Sequence, residues 1–175
     1  MILPGRHHAV LTKARPFAAI PEKDSHLKNR FALAVGLIIL TGTASASEQI
    51  RPLIARHAQA NNVPVALADA IVRIESRYNP GARNRANLGL TQISHQTARG
   101  IGYTGTAAGL MHPDTNLRYG IKYLGMAHRM SRGDICGTVM RYQSGLGATR
   151  MNAANRIYCG KVRAIMGSKV AMRGE

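Results

Sequence analysis

The sequence predicts a mainly α fold with one small irregular or β-containing insert after its second helix. Three observations carry that reading. Apolar residues recur at helical spacing over much of the chain beyond residue 47, and the stretch from Ala82 to Gln96 is too polar and broken to continue that pattern. At 175 residues and 45% apolar content, there is material for one globular domain with a real core and not for two full ones.

Each element follows in order. Ile50, Leu53, Ile54 and Ala58 define a first helix, with Pro52 in the first turn where a missing N–H is tolerated, and Asn61-Asn62 ends it. A second helix runs from about Pro64 to about Arg77 through Leu67, Ala70, Ile71 and Ile74, and Asn79-Pro80-Gly81 stops it. The insert carries Gly89 and reads as short strands or loop. A brief helix from Thr97 is stopped by Gly100-Ile101-Gly102, and Tyr103 to His112 reads as loop. Helical periodicity returns from Pro113 to Met130 through Leu117, Ile121 and Leu124. Asp134 then caps another helix reaching Tyr142, and Asn152 to Met166 forms the last one. Residues 167–175 read as a flexible tail, and no internal repeat is present.

The N-terminal segment has the parts of a secretory signal. Lys28 and Arg30 precede the apolar run Phe31 to Leu40, and Ala44-Ser45-Ala46 supplies small residues for a cut after Ala46. The run falls short of the roughly 20 apolar residues a spanning helix needs, so export with cleavage is expected and no stable membrane span remains. The segment before the run is longer than a signal needs; a non-AUG start at Leu27 would shorten it. The expected organisation is a signal peptide at 1–46, a domain at 47–166, the tail, and periplasmic residence.

The portion from Ser47 keeps 18 basic and 6 acidic residues, net +12, so its basicity is not only the leader's. Such a charge suits nucleic acid, anionic lipid or carboxylate-bearing cell wall. The export signal and the lack of interleaved aromatic and basic residues argue against nucleic acid. Cys136 and Cys159 both fall in this portion, and in an exported chain one disulfide is their simplest state, with two buried free thiols as the alternative. No metal is expected: there is no Cys-x-x-Cys, and His57, His95, His112 and His128 lie scattered singly.

Glu75 stands out among the few acids, next to Ile74 at the C-terminal end of a strongly apolar helix. Partial burial and the negative end of the helix dipole would both raise its pKa. A carboxylic acid kept protonated near neutral pH is what a glycosidic oxygen needs in order to leave as an alcohol. A solvated glutamate in a last helical turn is the plain alternative.

The surrounding strings bear on that choice. Glu75-Ser76-Arg77-Tyr78-Asn79-Pro80, Gly89-Leu90-Thr91-Gln92-Ile93 and Tyr142-Gln143-Ser144-Gly145 occur in that order, with His112-Pro113-Asp114-Thr115-Asn116 and Gly120-Ile121-Lys122-Tyr123-Leu124 between the last two. Over roughly Ile50 to Ala148 the chain resembles the lysozyme-like domain of soluble lytic transglycosylases, including small members associated with conjugation and secretion apparatus. The family pattern reads Glu-Ser-x-aromatic-x-Pro, Gly-Leu-Met-Gln-Ile, Asp-Pro-x-x-Asn, Gly-x-x-Tyr-Leu and Ala-Tyr-Asn-Ala-Gly. This chain departs at Thr91 for Met, at Ala86-Asn87 for Gly-Ala, at His95 for Pro, and at three positions around Tyr142.

The resemblance implies a lysozyme-like α+β domain with Glu75 as catalytic acid and base. Ser76 would tie the helix end to the following loop, Gln92 would line the sugar cleft, and the Tyr142 hydroxyl would approach the catalytic carboxyl, with Gln143 keeping an amide beside it. The implied partner is the glycan strand of peptidoglycan, together with an envelope-spanning secretion or conjugation apparatus, and no cofactor is implied. Paired-carboxylate glycosidases need a second acid. Asp69, six residues before Glu75, falls off its helical face, and Asp114 and Asp134 read more simply as caps. The implied reaction therefore uses one carboxyl and closes a 1,6-anhydro muramyl end. A hydrolase of the goose-lysozyme type and a non-catalytic wall-binding or secretion-assembly module are the alternatives.

Overall fold

The computed structural model describes residues 45–171, with side chains as far as Ser168. The segment read as a leader lies outside the described residues apart from Ser45 and Ala46. Six α-helices, a three-stranded antiparallel sheet and a short 3-10 helix (Gly109–Met111) within the stretch expected as loop make up the described fold: α1 (Ala46–Ala60), α2 (Val65–Ser76), β1 (Arg83–Asn84), β2 (Asn87–Leu88), β3 (Ile93–Ser94), α3 (His95–Gly100), α4 (Pro113–Met130), α5 (Ile135–Ser144) and α6 (Ala153–Ala171). The mainly helical class and its small β insert are as the sequence predicts. Among the described residues no helix is long and apolar enough to cross a membrane.

Local chemistry sets the helix ends. Ser45 caps α1 through the backbone N–H of Glu48, and the Glu48 carboxylate accepts the Ser45 N–H in return at 2.7 Å. This reciprocal arrangement satisfies two donors that the first turn leaves open. Asp134 caps α5 by accepting from the Gly137 N–H. The last helix runs five residues past the expected end at Met166, because Gly167 weakens a helix by only about 1 kcal/mol and no breaker follows it before Ala171.

Asp114 departs from its expected capping role. It lies in the first turn of α4, whose cap residue is His112, and reaches across to α1. There it accepts from His57 at 2.8 Å and pairs with Arg56. The hydrogen bond to His57 leads the causes that hold its carboxyl below the ordinary value.

Packing closes the helices into a ring. α1 packs on α2 and α4, α4 on α5, α5 on α6, and α6 returns to α2. Ile54, Leu67, Ile71, Leu117, Ile121, Leu124, Val139 and Val162 fill the centre with essentially no exposure. A smaller cluster of Leu88, Ile93, Ala98, Tyr103 and Leu110 lies beneath the sheet and the loop that follows it. Cys136 of α5 and Cys159 of α6 form a disulfide, with Cα atoms 5.3 Å apart. Closing a loop across their sequence separation of 23 stabilises by about 3 kcal/mol in the chain-entropy view.

Asn116 organises the insert. Fully buried on α4, its carbonyl oxygen accepts from the Thr91 N–H at 2.9 Å and the Thr91 hydroxyl at 2.8 Å. Its amide donates to the carbonyls of Leu88 at 2.8 Å and Leu110 at 3.0 Å. One side chain thus satisfies polar groups of three residues, two in the insert and one in the loop before α4. The approach is close enough that a Cβ at Gly89 would overlap the Asn116 amide, and one at Gly120 would overlap the Thr91 side chain. Asn116→Leu keeps comparable bulk but removes all four bonds and strands their buried partners, so urea denaturation is expected to register a loss of about 3 kcal/mol or more.

Candidate active site

Glu75 occupies the last turn of α2, whose apolar face of Leu67, Ile71 and Val72 is buried in the core. Its half-buried carboxyl meets a phenol: the Tyr158 hydroxyl, from α6, donates to Glu75 Oε1 at 2.5 Å. Burial raises the Glu75 pKa above its ordinary value of 4.5, and the Tyr158 bond opposes part of that rise. Tyr158 is itself pushed far upward, first by burial and then by the Glu75 charge beside it, so its hydroxyl keeps the proton that it donates to Glu75. The result is a carboxyl that retains its proton to higher pH than a solvated glutamate and is held in one orientation.

Tyr142 stands at the same place with a different partner. Its hydroxyl donates to the Thr91 carbonyl at 2.6 Å, tying α5 to the insert, and the ring packs 5.7 Å from that of Tyr123. Burial raises its pKa well above the ordinary phenol value, followed by the charge of Glu75. Tyr142, expected to approach the catalytic carboxyl, feels the charge of Glu75, while the hydrogen bond to that carboxyl comes from Tyr158, which the sequence reading did not single out. Tyr158 lies beyond the matching strings, in a helix whose spacing alone marks it as core. Its one sequence signal was its place beside Cys159.

Ser76 also differs from expectation. Its buried hydroxyl turns back to donate to the Val72 carbonyl at 3.0 Å, inside its own helix, and does not bridge to the following loop. Backbone bonds do that work, from Arg77 to Arg73 and from Asn79 to Ser76. Arg77 and Tyr78 then both adopt positive φ, 53° and 64°, a conformation that costs residues with side chains about 1–2 kcal/mol each. Tyr78 is held there by donating to both oxygens of Asp69, at 3.0 and 3.1 Å, with the Arg51 guanidinium over its ring. Asp69 is buried and bears on this turn.

Gln92 braces the insert from within. It too has positive φ, and its amide donates to the carbonyls of Ala82 at 3.1 Å and Gly89 at 2.9 Å. Its nitrogen is thereby committed to the loop. Gln143 has its amide oxygen engaged by Asn155 at 2.6 Å, linking the end of α5 to the start of α6. Of the site residues that the resemblance implies, Tyr142 lies within the field of Glu75, while Ser76, Gln92 and Gln143 spend hydrogen bonds on the elements around them.

Five carboxylates occur in the described residues, and four have structural partners elsewhere. Glu48 belongs to the α1 cap, Asp69 to Tyr78, Asp114 to His57 and Arg56, and Asp134 to the α5 cap. No charged partner figures among the causes that set the Glu75 pKa. Among the described residues no group of three or more His, Cys, Asp or Glu side chains gathers in a way that could hold a metal ion.

A helical ring with a small β insert, presenting a shielded carboxylic acid at a helix end that accepts from a phenol, belongs to the lysozyme-like class of folds. The model of the family described as Transglycosylase SLT domain matches residues 52–158, more than half of the chain, and the protein belongs to that family. Among solved structures it is similar to an inactive mutant of the lytic transglycosylase Slt from Pseudomonas aeruginosa, at 24% identity and TM-score 0.60, covering 69% of this chain and 24% of that one. It is also similar to a 70-kDa soluble lytic transglycosylase in complex with bulgecin A, at 23% identity and TM-score 0.63, covering 74% and 26%. A third similar structure, the 70-kDa soluble lytic transglycosylase from Escherichia coli, gives 24% identity and TM-score 0.52, covering 69% and 20%. The match therefore spans about a quarter of the length of those proteins. Among curated proteins none matches.

The raised carboxyl pKa makes a signed prediction. Between the ordinary value of 4.5 and the raised one, the folded state holds a proton that the unfolded state releases. Stability from this group is therefore present at acid pH and lost as pH rises through the raised value. Glu75→Gln removes the titration while leaving an oxygen for Tyr158. Thermal melts should show the variant gaining in Tm relative to wild type as pH rises across that window, and showing the least gain at acid pH.

Proposed function

We propose that the protein is a peptidoglycan lytic transglycosylase in which Glu75 serves first as acid and then as base. The observation that carries the reading is the 2.5 Å bond from the Tyr158 hydroxyl, whose pKa is itself pushed upward, to a carboxyl whose pKa burial has raised. In the proposed sequence Glu75 protonates the oxygen linking N-acetylmuramic acid to N-acetylglucosamine, and the alcohol departs. As Glu75 becomes a carboxylate, the Tyr158 hydroxyl stabilises the new charge, because a bond to the ionised form favours it.

The cation left at the anomeric carbon is supported by the substrate's own 2-acetamido group, a role that paired-carboxylate enzymes give to a second acid. The placement of Glu48, Asp69, Asp114 and Asp134 in structural contacts supports this single-carboxyl reading. Glu75 then takes the proton from the muramyl C6 hydroxyl, which closes on C1 as a tethered nucleophile and leaves a 1,6-anhydro end. The same reading makes the protein extracytoplasmic, exported by the 1–46 leader and serving an envelope-spanning secretion or conjugation apparatus.

Mass spectrometry of purified peptidoglycan after incubation with the oxidised protein tests this directly. The expected digest contains anhydro-muramyl ends, and Glu75→Gln is expected to reduce their release by at least about 100-fold, the usual scale for general acid–base catalysis. Reducing ends in place of anhydro ends would mean that water is the nucleophile. Uncut strands would overturn the enzymatic reading.

A further inference from the structure

The side chain that holds Glu75 is fastened to the fold one residue away. In α6, Asn155, Tyr158, Cys159 and Val162 lie at i, i+3, i+4 and i+7 and are all buried, so they form one face of the helix. That face is pinned to α5 at both ends of the shorter helix. At the C-terminal end of α5, the Asn155 amide donates to Gln143 Oε1 at 2.6 Å and to Ser144 Oγ at 2.9 Å, while Asn152 and Asn155 exchange backbone-to-side-chain bonds at 3.1 and 2.8 Å. Near its N-terminal end, Cys136 is covalently joined to Cys159.

Tyr158 sits between these two fastenings and spans from α6 to the end of α2, a sequence separation of 83 residues. A hydrogen bond weakens steeply as its angle bends away from linear, so the phenol requires a helix that neither rotates nor slides. The segment 145–152 that leads into α6 has no regular structure to supply that rigidity. Only the disulfide provides a covalent restraint on this face.

We propose that Cys136 and Cys159 are positioning residues for the acid, setting the Tyr158 hydroxyl on Glu75 through the α5–α6 cross-link. The protein then reaches its working geometry only after oxidation, and in a thiol-reducing compartment the carboxyl lacks its fixed partner. This rests on the proposed role of Glu75, but its core statement concerns the Tyr158–Glu75 bond and is testable without substrate.

A double-mutant cycle tests it, combining Tyr158→Phe with the disulfide-free pair Cys136→Ala and Cys159→Ala. The primary readout is the titration midpoint of the Glu75 carboxyl followed by carbon-13 NMR. In the oxidised background Tyr158→Phe should raise the midpoint, because it removes the contact that lowers it while the ring stays in place. In the disulfide-free background the same substitution should move the midpoint by less than about half as much, since coupled residues are non-additive. Equal shifts in the two backgrounds would overturn the proposal. Should the disulfide-free protein fail to fold, the comparison is made in the cold on the Cys-containing chain reduced by dithiothreitol, which supplies two electrons and two protons and leaves as its own cyclic disulfide.

The rate of anhydro-end release gives a parallel cycle. If the cross-link acts through Tyr158, removing both should cost about as much as removing either alone, whereas multiplying costs would mean a general structural effect. No release from any form, with the NMR cycle still coupled, would reject the proposed reaction and leave the positioning role standing.

Discussion

The contact between the Tyr158 hydroxyl and the Glu75 carboxyl joins the end of α2 to α6, and the rest of the fold can be understood as what keeps those two oxygens 2.5 Å apart. Neither group would be remarkable in water. Burial disfavours the carboxylate and so raises its pKa, while the phenol, forced to remain protonated by the same burial and by the neighbouring charge, limits that rise. The balance makes an acid that can give up its proton and still be stabilised afterwards. An unsupported buried carboxyl would hold its proton more tightly, and a solvated one would have lost it.

Two kinds of support maintain this contact. On the Glu75 side, the chain leaves α2 through consecutive positive-φ residues, Arg77 and Tyr78, and the Tyr78–Asp69 bonds stabilise a turn that local sterics disfavour. The insert beyond that turn is fixed by Asn116 from one side and Gln92 from within. The Thr91 carbonyl receives Tyr142, whose phenol lies within the field of Glu75, so the insert and the acid are linked through a second tyrosine. On the Tyr158 side, α6 is held to α5 by Asn155 and by the disulfide. Both kinds of support turn on a buried side chain whose hydrogen-bonding capacity is heavily occupied, Asn116 on one side and Asn155 on the other. Such networks stabilise when complete and cost several kcal/mol when one member is removed.

Helices were legible in the sequence wherever apolar spacing was strong. α4 was expected over Pro113 to Met130 and has those bounds, because a proline at its first position and a long periodic face define both ends. The polar insert was legible as a break but not as a sheet, since three strands of two residues each have no periodicity of their own. Glu75 could be singled out from its apolar helix, and its motif gave it a role. Tyr158 could not be, because a tyrosine on a helical core face differs from any other until the helices are assembled. Asp114 misled for the same reason: capping is a local rule, and its actual partners lie on α1, more than fifty residues earlier. The departure at Thr91 became intelligible only with its neighbours in place. Its hydroxyl bonds to Asn116 and its side chain lies against Gly120, where there is no Cβ to exclude it.

The account depends on where one proton resides at neutral pH, and carbon-13 NMR titration of the Glu75 side-chain carboxyl in the oxidised wild-type protein measures that directly. A midpoint above the ordinary glutamate value of 4.5 is the predicted result, reflecting a shielded acid. A midpoint at or below that value would contradict it, since a carboxyl already ionised in the acid range could not donate to a glycosidic oxygen near neutrality.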